Sequence, residues 1–406
     1  MLATVLTQRF FILKDTQFRA LFLRMLCNRL VDGMVYVVTA WMLLRMTGHA
    51  SSVALQLTLT LLPSALLSPV IGTVTDRFSR RNLVVIADLF QGALIALTAL
   101  MLALSVQTPI YLYAMTLAVG LSSLLHSVAA RALLRELVSK EGLLSASSTI
   151  SIANQTGGLF GPILGGLLAY QLGEVSVLAI AAGLAVVGGL NLLQIAARPP
   201  HGGPGPSGAS MTAEYLAALR LLRDNERVRR LFVGCSLFYV SLPLLNFLLP
   251  LLTMKTFGLS VQTFGLIDAM FGIGGIAAGV FLHALEERFG HQPMIVGGVV
   301  IYGLVIALLP ASAFQPWLIA MYLLIGFACH SGVGLMSELQ REIPTAMQGR
   351  VLSMFSTCTA LMAAVTVQLL GAVGGSTTVI VAYVVYGLML VGFGLIFLRR
   401  WMRAPA

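Results

Sequence analysis

The sequence predicts an all-α membrane protein with twelve transmembrane helices, arranged as two pseudo-symmetric bundles of six. Three observations support this prediction. Of the 406 residues, 58% are hydrophobic and only 10% are charged, and the mean hydropathy of +0.93 exceeds that of a soluble domain. Apolar stretches long enough to cross a bilayer follow one another from Phe18 to Leu398. The basic residues between these stretches are sorted by side of the membrane.

Each span is placed where an apolar run reaches the roughly 20 residues that a hydrocarbon layer of about 30 Å requires. Each must be helical, because unpaired backbone groups in lipid are costly and a helix pairs them locally. The predicted spans are 20–44, 51–75, 83–106, 109–130, 144–170, 175–197, 230–253, 263–284, 293–310, 316–337, 350–372 and 376–398.

The net charge of +10 is interpreted as a topology signal. Threading the spans alternately puts the Lys and Arg residues at cytoplasmic ends or loops, except for Arg29, Arg45 and Lys255. This positive-inside bias predicts a multi-pass protein of the bacterial inner membrane with both termini in the cytoplasm. The lipid bilayer is therefore an expected partner of the chain. Nucleic acid is not, because the basic residues are dispersed among many loops rather than collected on one face.

Three regions are predicted along the chain. Residues 1–197 form an N-terminal six-helix bundle, 198–229 a cytoplasmic linker, and 230–406 a C-terminal six-helix bundle. The linker opens with a Pro- and Gly-rich run that cannot hold a helix or a packed core. After it, the spacing of apolar residues from Met211 to Arg230 predicts an amphipathic helix on the cytoplasmic membrane surface.

The two bundles echo each other in sequence. Short segments at corresponding places in the two halves share their pattern, namely 45–48 with 255–258, 76–79 with 287–290, and 136–137 with 338–339. Two repeats of six helices are typical of a transporter that holds its substrate near the midplane of the bilayer.

The loop between the second and third spans carries a family signature. It resembles the signature loop of the major facilitator superfamily, although Ser79 stands where a glycine is usual. The matching residues are Gly72, Asp76, Arg77, Arg80 and Arg81. In that family the loop is a conformational gate, and the resemblance implies that Asp76 sits against the start of the eleventh span near Gly349. An ordinary cytoplasmic stop signal is the alternative, but such a signal requires neither Asp nor Gly.

A second motif lies in the fifth span, where small residues recur around a proline. It resembles the Gly-Pro motif of antiporters in the same superfamily, and generic small-residue packing is the alternative. Its residues are Gly157, Gly161, Pro162, Gly165 and Gly166. Further segments at 31–33, 87–89, 132–138 and 215–230 are similar to the exporter branch that includes macrolide efflux and enterobactin exporter proteins. The fourth span lacks an arginine that many proton-coupled drug exporters carry.

Ionisable residues inside spans are the candidates for the site, since they are costly to insert and usually face a cavity or a partner. Asp32 is the strongest, on a helical face with Arg24, Asn28 and Tyr36 and one turn from Arg29. We expect Asp32 to exchange a proton or to bind a cationic group. A static pair with Arg29 is the alternative.

Other ionisable residues are weaker candidates. Asp268, His126 and His330 lie inside spans, and each histidine is either a relay or a neutral interior residue. Asp88 and Glu338 lie near cytoplasmic ends, where we expect a structural network with Arg77, Arg80 or Arg131.

Together these features predict a secondary active transporter of a small molecule. It would export amphipathic or apolar organic compounds, of the multidrug type, by alternating access in exchange for protons. Export of a siderophore or lipid-like molecule, or uniport, is the alternative within transport. A membrane receptor or scaffold with a transporter fold is the alternative outside it. No enzyme motif, cofactor or metal spacing is found, and the sequence carries no signal for oligomeric state.

Overall fold

The computed structural model describes residues 15–106, 108–138, 143–196, 211–344 and 347–401. These residues form helices joined by short turns. The helices of the N-terminal half are α1 (Thr16–Thr47), α2 (Ala50–Arg77), α3 (Arg80–Ala103), α4 (Pro109–Leu137), α5 (Leu143–Leu172) and α6 (Glu174–Asn191). Those that follow are α7 (Met211–Asp224), α8 (Glu226–Pro250), α9 (Val261–Phe289), α10 (His291–Leu308), α11 (Gln315–Ala328), α12 (Ser331–Glu342), α13 (Gln348–Val373) and α14 (Ser376–Trp401).

The helices have the lengths and composition of membrane spans. Within the described residues, 10 helical stretches are long and apolar enough to cross a bilayer, and one of them combines α11 and α12 as Gln315–Glu342. Helices α2 and α5 are 28 and 30 residues long and occupy the places of the second and fifth predicted spans. The predicted all-α fold is therefore confirmed, and the helices are consistent with twelve spans.

Local capping sets several helix ends. The Asp15 carboxylate accepts from the backbone N–H groups of Gln17 and Phe18, at 2.7 Å and 3.0 Å, and so starts α1. The helix ends at Gly48, whose φ of 67° lies in the left-handed region that a side chain disfavours. Asn225 and Ser260 cap α8 and α9 in the same way as Asp15 caps α1.

Three details differ from the sequence prediction. The amphipathic helix ends at Asp224 rather than Arg230, because Asn225 is extended and caps the next helix. The seventh span continues beyond Pro250 as a π-helix, Leu251–Thr256. The tenth span is interrupted at Cys329 and His330. There the backbone forms a turn, in which N–H groups donate hydrogen bonds to carbonyl oxygens three residues earlier.

Clustering of contacts divides the chain into two compact units. The first comprises Met1–Gly48 with Leu59–Pro206, and the second comprises His49–Thr58 with Ser207–Ala406. In the first unit, α1 packs against α5 and α6, and α3 packs against α4 and α6. In the second, α10 packs against α14 and α9 against α11. The predicted domain boundaries stay a prediction.

Candidate functional site

The polar face predicted for α1 forms a hydrogen-bonded ladder. Arg24 Nη2 donates to Asn28 Oδ1 at 3.4 Å, and Asn28 Nδ2 donates to Asp32 Oδ2 at 3.2 Å. These residues are four apart, so each side chain lies one turn above the last. Tyr36, the fourth member of the face, is half-buried. The ladder connects Asp32 to the buried end of Arg24.

Arg24 is held in the core of the first unit by Asp88 of α3. Arg24 Nε donates to Asp88 Oδ2 at 3.0 Å, and Arg24 Nη2 donates to Asp88 Oδ1 at 2.9 Å. Arg24 is 1% exposed and Asp88 is 3% exposed. A guanidinium fork on a carboxylate is the strongest neutralising pair that two side chains make, and burial at this level requires such pairing.

His126 of α4 joins the same carboxylate. Its Nε2 lies 2.7 Å from Asp88 Oδ1, and the residue is 4% exposed. Within the described residues, neither ring nitrogen of His126 makes a well-aligned hydrogen bond, so the Nε2 contact is close in distance only. Among the described residues, Asp88 contacts Arg24 and His126, and Arg80 pairs with Glu136. The side chains of Arg77 and Arg131 lie outside the described residues, so the predicted network of Asp88 with them stays a prediction.

A cavity of about 240 Å³ lies beside this cluster. Its walls come from α1, α4 and α5, and they combine charged, polar and apolar side chains. The lining residues are Leu21, Arg24, Met25, Asn28, Arg29, Asp32, Ser123, His126, Ala130, Leu134, Ile150 and Asn154. Four predicted site residues, Asn28, Arg29, Asp32 and His126, thus meet in one place, and Tyr36 is not among the lining residues.

The Arg29 and Asp32 side chains form a loose pair in the cavity wall. Arg29 Nη1 lies 3.6 Å from Asp32 Oδ2, and the two side chains are 51% and 20% exposed. Arg29 Nε also donates to Asn154 Oδ1 at 3.4 Å. The long contact and the exposure of Arg29 mean that the guanidinium can turn to another partner at small cost. Asp32 is more buried, and among the described residues its Oδ1 has no hydrogen-bond partner. Both interpretations of Asp32, static pair and functional group, agree with this geometry.

The small residues of the Gly-Pro motif pack α5 directly onto α1. A Cβ at Gly157 would lie 2.5 Å from Arg29 Cβ, and a Cβ at Gly161 would lie 2.9 Å from the Leu30 carbonyl oxygen. Across the same contact, Gly33 faces Pro162. Gly165 packs against Met34, and Gly166 is buried. The motif therefore lets α1 approach α5 closely, and its role in antiport stays a prediction.

The signature loop is described only in part. The side chains of Asp76 and Arg77 and the surroundings of Gly72 and Gly349 lie outside what the structure describes, so the predicted gate contact stays a prediction. Arg80 forms an ion pair with Glu136. Arg81 Nη1 donates to the Ile195 carbonyl oxygen at 2.8 Å.

The remaining candidates belong to the second unit. Asp268 is half-buried in α9, and His330 lies at the turn between α11 and α12. Neither lines the 240 Å³ cavity. Glu338 Oε1 lies 3.1 Å from His291 Nε2 and 3.0 Å from Arg341 Nη1. Its predicted network with the loop arginines stays a prediction.

Comparison with known proteins identifies the family. The sequence model of the Major Facilitator Superfamily matches residues 21–367. This chain belongs to the Major Facilitator Superfamily. The predicted family is thereby confirmed, and the chain is a transporter of that superfamily. The macrolide and enterobactin exporter branch stays a prediction.

Relatives and solved structures refine the comparison. Over 186 residues, the chain is 27% identical to the lysophospholipid transporter LplT of Yersinia pestis (strain Pestoides F). The aligned region covers 45% of this chain and 43% of the relative. The same values hold for LplT of Yersinia pseudotuberculosis serotype O:3 (strain YPIII). The chain thus spans less than half the length of these relatives.

Two solved structures share the fold at low identity. A mutant of the nucleoside transporter NupG aligns with a TM-score of 0.77 at 17% identity, covering 94% of this chain and 99% of that one. A bacterial homologue of the human lysosomal transporter Spinster, inward-facing and unoccupied, aligns with a TM-score of 0.68 at 13% identity, covering 97% and 100%. At these identities the likeness concerns the fold alone.

Sequence reasoning missed the buried pair of Arg24 and Asp88 beside this cavity. Both are ionisable residues within predicted spans and of opposite charge, which is the signal that could have paired them. The pairing was missed because a single sequence does not reveal which helix faces of α1, α3 and α4 meet.

Proposed function

We propose that this superfamily member is a secondary active exporter of amphipathic or apolar organic compounds, of the multidrug type, working by alternating access in exchange for protons. It would act in a bacterial inner membrane with both termini in the cytoplasm. The observation that carries the proposal is the cavity of about 240 Å³ in the first unit, where Asp32 and Arg29 stand beside an apolar wall.

The wall composition fits a molecule with a charged head and an apolar body. Leu21, Leu134 and Ile150 offer an apolar surface, against which a hydrocarbon group packs favourably. Asp32 would hold a cationic head group or a proton, since a charge entering a membrane interior needs a partner of opposite sign. The loose Arg29 contact leaves the Asp32 carboxylate able to exchange partners.

A lipid-like substrate is the second candidate. The relatives named lysophospholipid transporter support it, over the 186 matched residues. A lysophospholipid with an amine in its zwitterionic head group also combines a positive charge with one hydrocarbon chain, so the cavity chemistry suits it as well.

Accumulation measurements in a pump-deficient bacterial host test the proposal. Cells producing the protein should accumulate less of an amphipathic dye cation such as ethidium, or less of a labelled lysophospholipid, than cells with an empty vector. Asp32→Asn should lower the efflux rate at least about tenfold, equivalent to about 1.4 kcal/mol, because the head group loses its counter-charge. Asp224→Asn, at an exposed position on α7, is the matched control and should leave efflux unchanged.

Each outcome bears on one alternative. If the folded, membrane-inserted protein leaves accumulation of every compound unaltered, the receptor or scaffold interpretation replaces transport. Movement of the lysophospholipid alone would select the lipid-like substrate over the multidrug type.

A further inference from the structure

A second concavity, separate from the cavity described above, lies at the surface between α3 and α6. It is an apolar groove of about 650 Å³, which extends from Leu89 to Ala103 on α3 and from Val175 to Val187 on α6. It shares no lining residue with the 240 Å³ cavity. Eight of its thirteen lining residues are alanine or glycine, so the larger side chains on either side stand above its floor as rims.

The groove faces lipid hydrocarbon, because both helices belong to stretches long and apolar enough to cross a bilayer. At a rise of about 1.5 Å per residue, the wall from Leu89 to Ala103 is about 21 Å long. The hydrocarbon of one leaflet is about 15 Å deep, half of the bilayer core. The groove is therefore long enough for one acyl chain that lies along the membrane normal.

One end of the groove adjoins an ion pair. Val175 lines the groove, and the preceding residue, Glu174, begins α6. Glu174 Oε1 accepts from Arg45 Nη1 at 2.5 Å and from Trp41 Nε1 at 3.1 Å. Both contacts end on Oε1, so Glu174 Oε2 remains able to accept another donor. The Arg45 side chain is 54% exposed, and its Nε and Nη2 remain able to donate.

We propose that this groove holds one acyl chain of a resident phosphatidylethanolamine, in the leaflet that contains Glu174, with the lipid ammonium at Glu174 and the lipid phosphate at Arg45. The lipid is a bound partner of the first unit on its outer surface and is not the transported molecule. Arg45 is also one of the three basic residues that the predicted topology leaves away from the cytoplasmic side. A lipid phosphate and Glu174 together account for its position.

The chemistry of the pair selects among head groups. A primary ammonium donates N–H bonds to a carboxylate oxygen, and a charge-assisted bond of this kind is stronger than a neutral one. A quaternary choline has no N–H to donate. Phosphatidylglycerol would bring a negative charge beside Glu174 without a cation to offset it. The zwitterion with a primary amine is therefore the head group that complements both Glu174 and Arg45.

Competition between two lipids tests the head-group assignment. Purified full-length protein is mixed with equal amounts of phosphatidylethanolamine and phosphatidylglycerol of the same acyl chains, and bound lipid is counted by native mass spectrometry. The wild type should retain phosphatidylethanolamine in about fivefold excess, equal to about 1 kcal/mol, the upper value for an exposed ion pair. Glu174→Gln should remove this preference, and Asp224→Asn, in an exposed pair on α7, should keep it. Equal retention of both lipids by the wild type, or an unchanged preference in Glu174→Gln, would overturn the proposal.

Filling the groove tests the position of the acyl chain. Ala96→Leu combined with Ala179→Leu should lower lipid retention at least about tenfold, because the added side chains occupy the place of the chain. Ala320→Leu, at an exposed position on α11 outside the groove, is the matched control and should retain lipid as the wild type does. A double variant that retains as much lipid as the wild type would refute the assignment.

Crosslinking to the wild type keeps the test decisive should the double variant fail to fold. A phosphatidylethanolamine with a photoactivatable diazirine in its acyl chain should attach mainly to residues 89–103 and 175–187. Attachment spread evenly over the membrane spans would overturn the proposal.

Discussion

Removing the charge of Asp88 should destabilise the protein strongly, because it leaves the buried guanidinium of Arg24 without its counter-charge. Arg24 is 1% exposed, and Asp88 accepts two of its donors at 3.0 Å and 2.9 Å. Breaking one side of a buried ion pair costs about 3 to 5 kcal/mol, or roughly 10²- to 10⁴-fold in the unfolding equilibrium. Asp88→Asn keeps the side-chain shape. This matters because Asp88 is tightly packed against α6, where a Cβ at Gly189 would lie 2.7 Å from Asp88 Cβ. The free energy of unfolding in mixed detergent micelles measures this loss.

A double variant separates the pair from its surroundings. Arg24→Met with Asp88→Asn removes both charges, so it should be more stable than Asp88→Asn alone, with a coupling energy of about 2 kcal/mol or more. The exposed pair of Arg223 and Asp224, at 3.3 Å, provides the control, and Asp224→Asn should change stability by about 1 kcal/mol at most. If Asp88→Asn costs no more than Asp224→Asn, or if the double variant is merely additive, the reasoning about the buried pair is refuted.

Three further predictions concern packing, surface charge and topology. Gly161→Ala should cost about 1 to 3 kcal/mol of unfolding free energy by forcing α1 from α5. Gly158→Ala, with open space around its Cβ, should be neutral or stabilising by up to about 1 kcal/mol, because alanine favours the helix. Equal effects would contradict the close packing. Glu174→Gln should lower the free energy of unfolding by less than about 1 kcal/mol, because its partner Arg45 is exposed. High salt should reduce this loss further. A loss that salt does not reduce would count against the prediction. In a cysteine-free background, Ala313→Cys should react with an impermeant thiol reagent added outside cells and Gln292→Cys should not; the reverse pattern would invert the topology.

The succession of apolar runs was sufficient to predict the helices, because bilayer thickness fixes the length of a span. The family was predicted from the residues of the loop between the second and third spans. The polar face of α1 was also predictable, since a spacing of four residues places side chains on one side of a helix. The partner of Asp88 was not, because the contact depends on how α1, α3 and α4 pack. Nor was the turn at Cys329 and His330, which interrupts a continuous apolar run.

The assignment of ion-coupled transport to the first-unit cavity is tested most directly by substrate-driven proton movement in vesicles containing the purified protein. Addition of an amphipathic cation outside the vesicles should alkalinise the lumen in proportion to the substrate moved, because each cation that enters is exchanged for a proton that leaves. Asp32→Asn should abolish this signal, and Asp224→Asn should preserve it. Unchanged coupling in the Asp32→Asn vesicles would contradict the account.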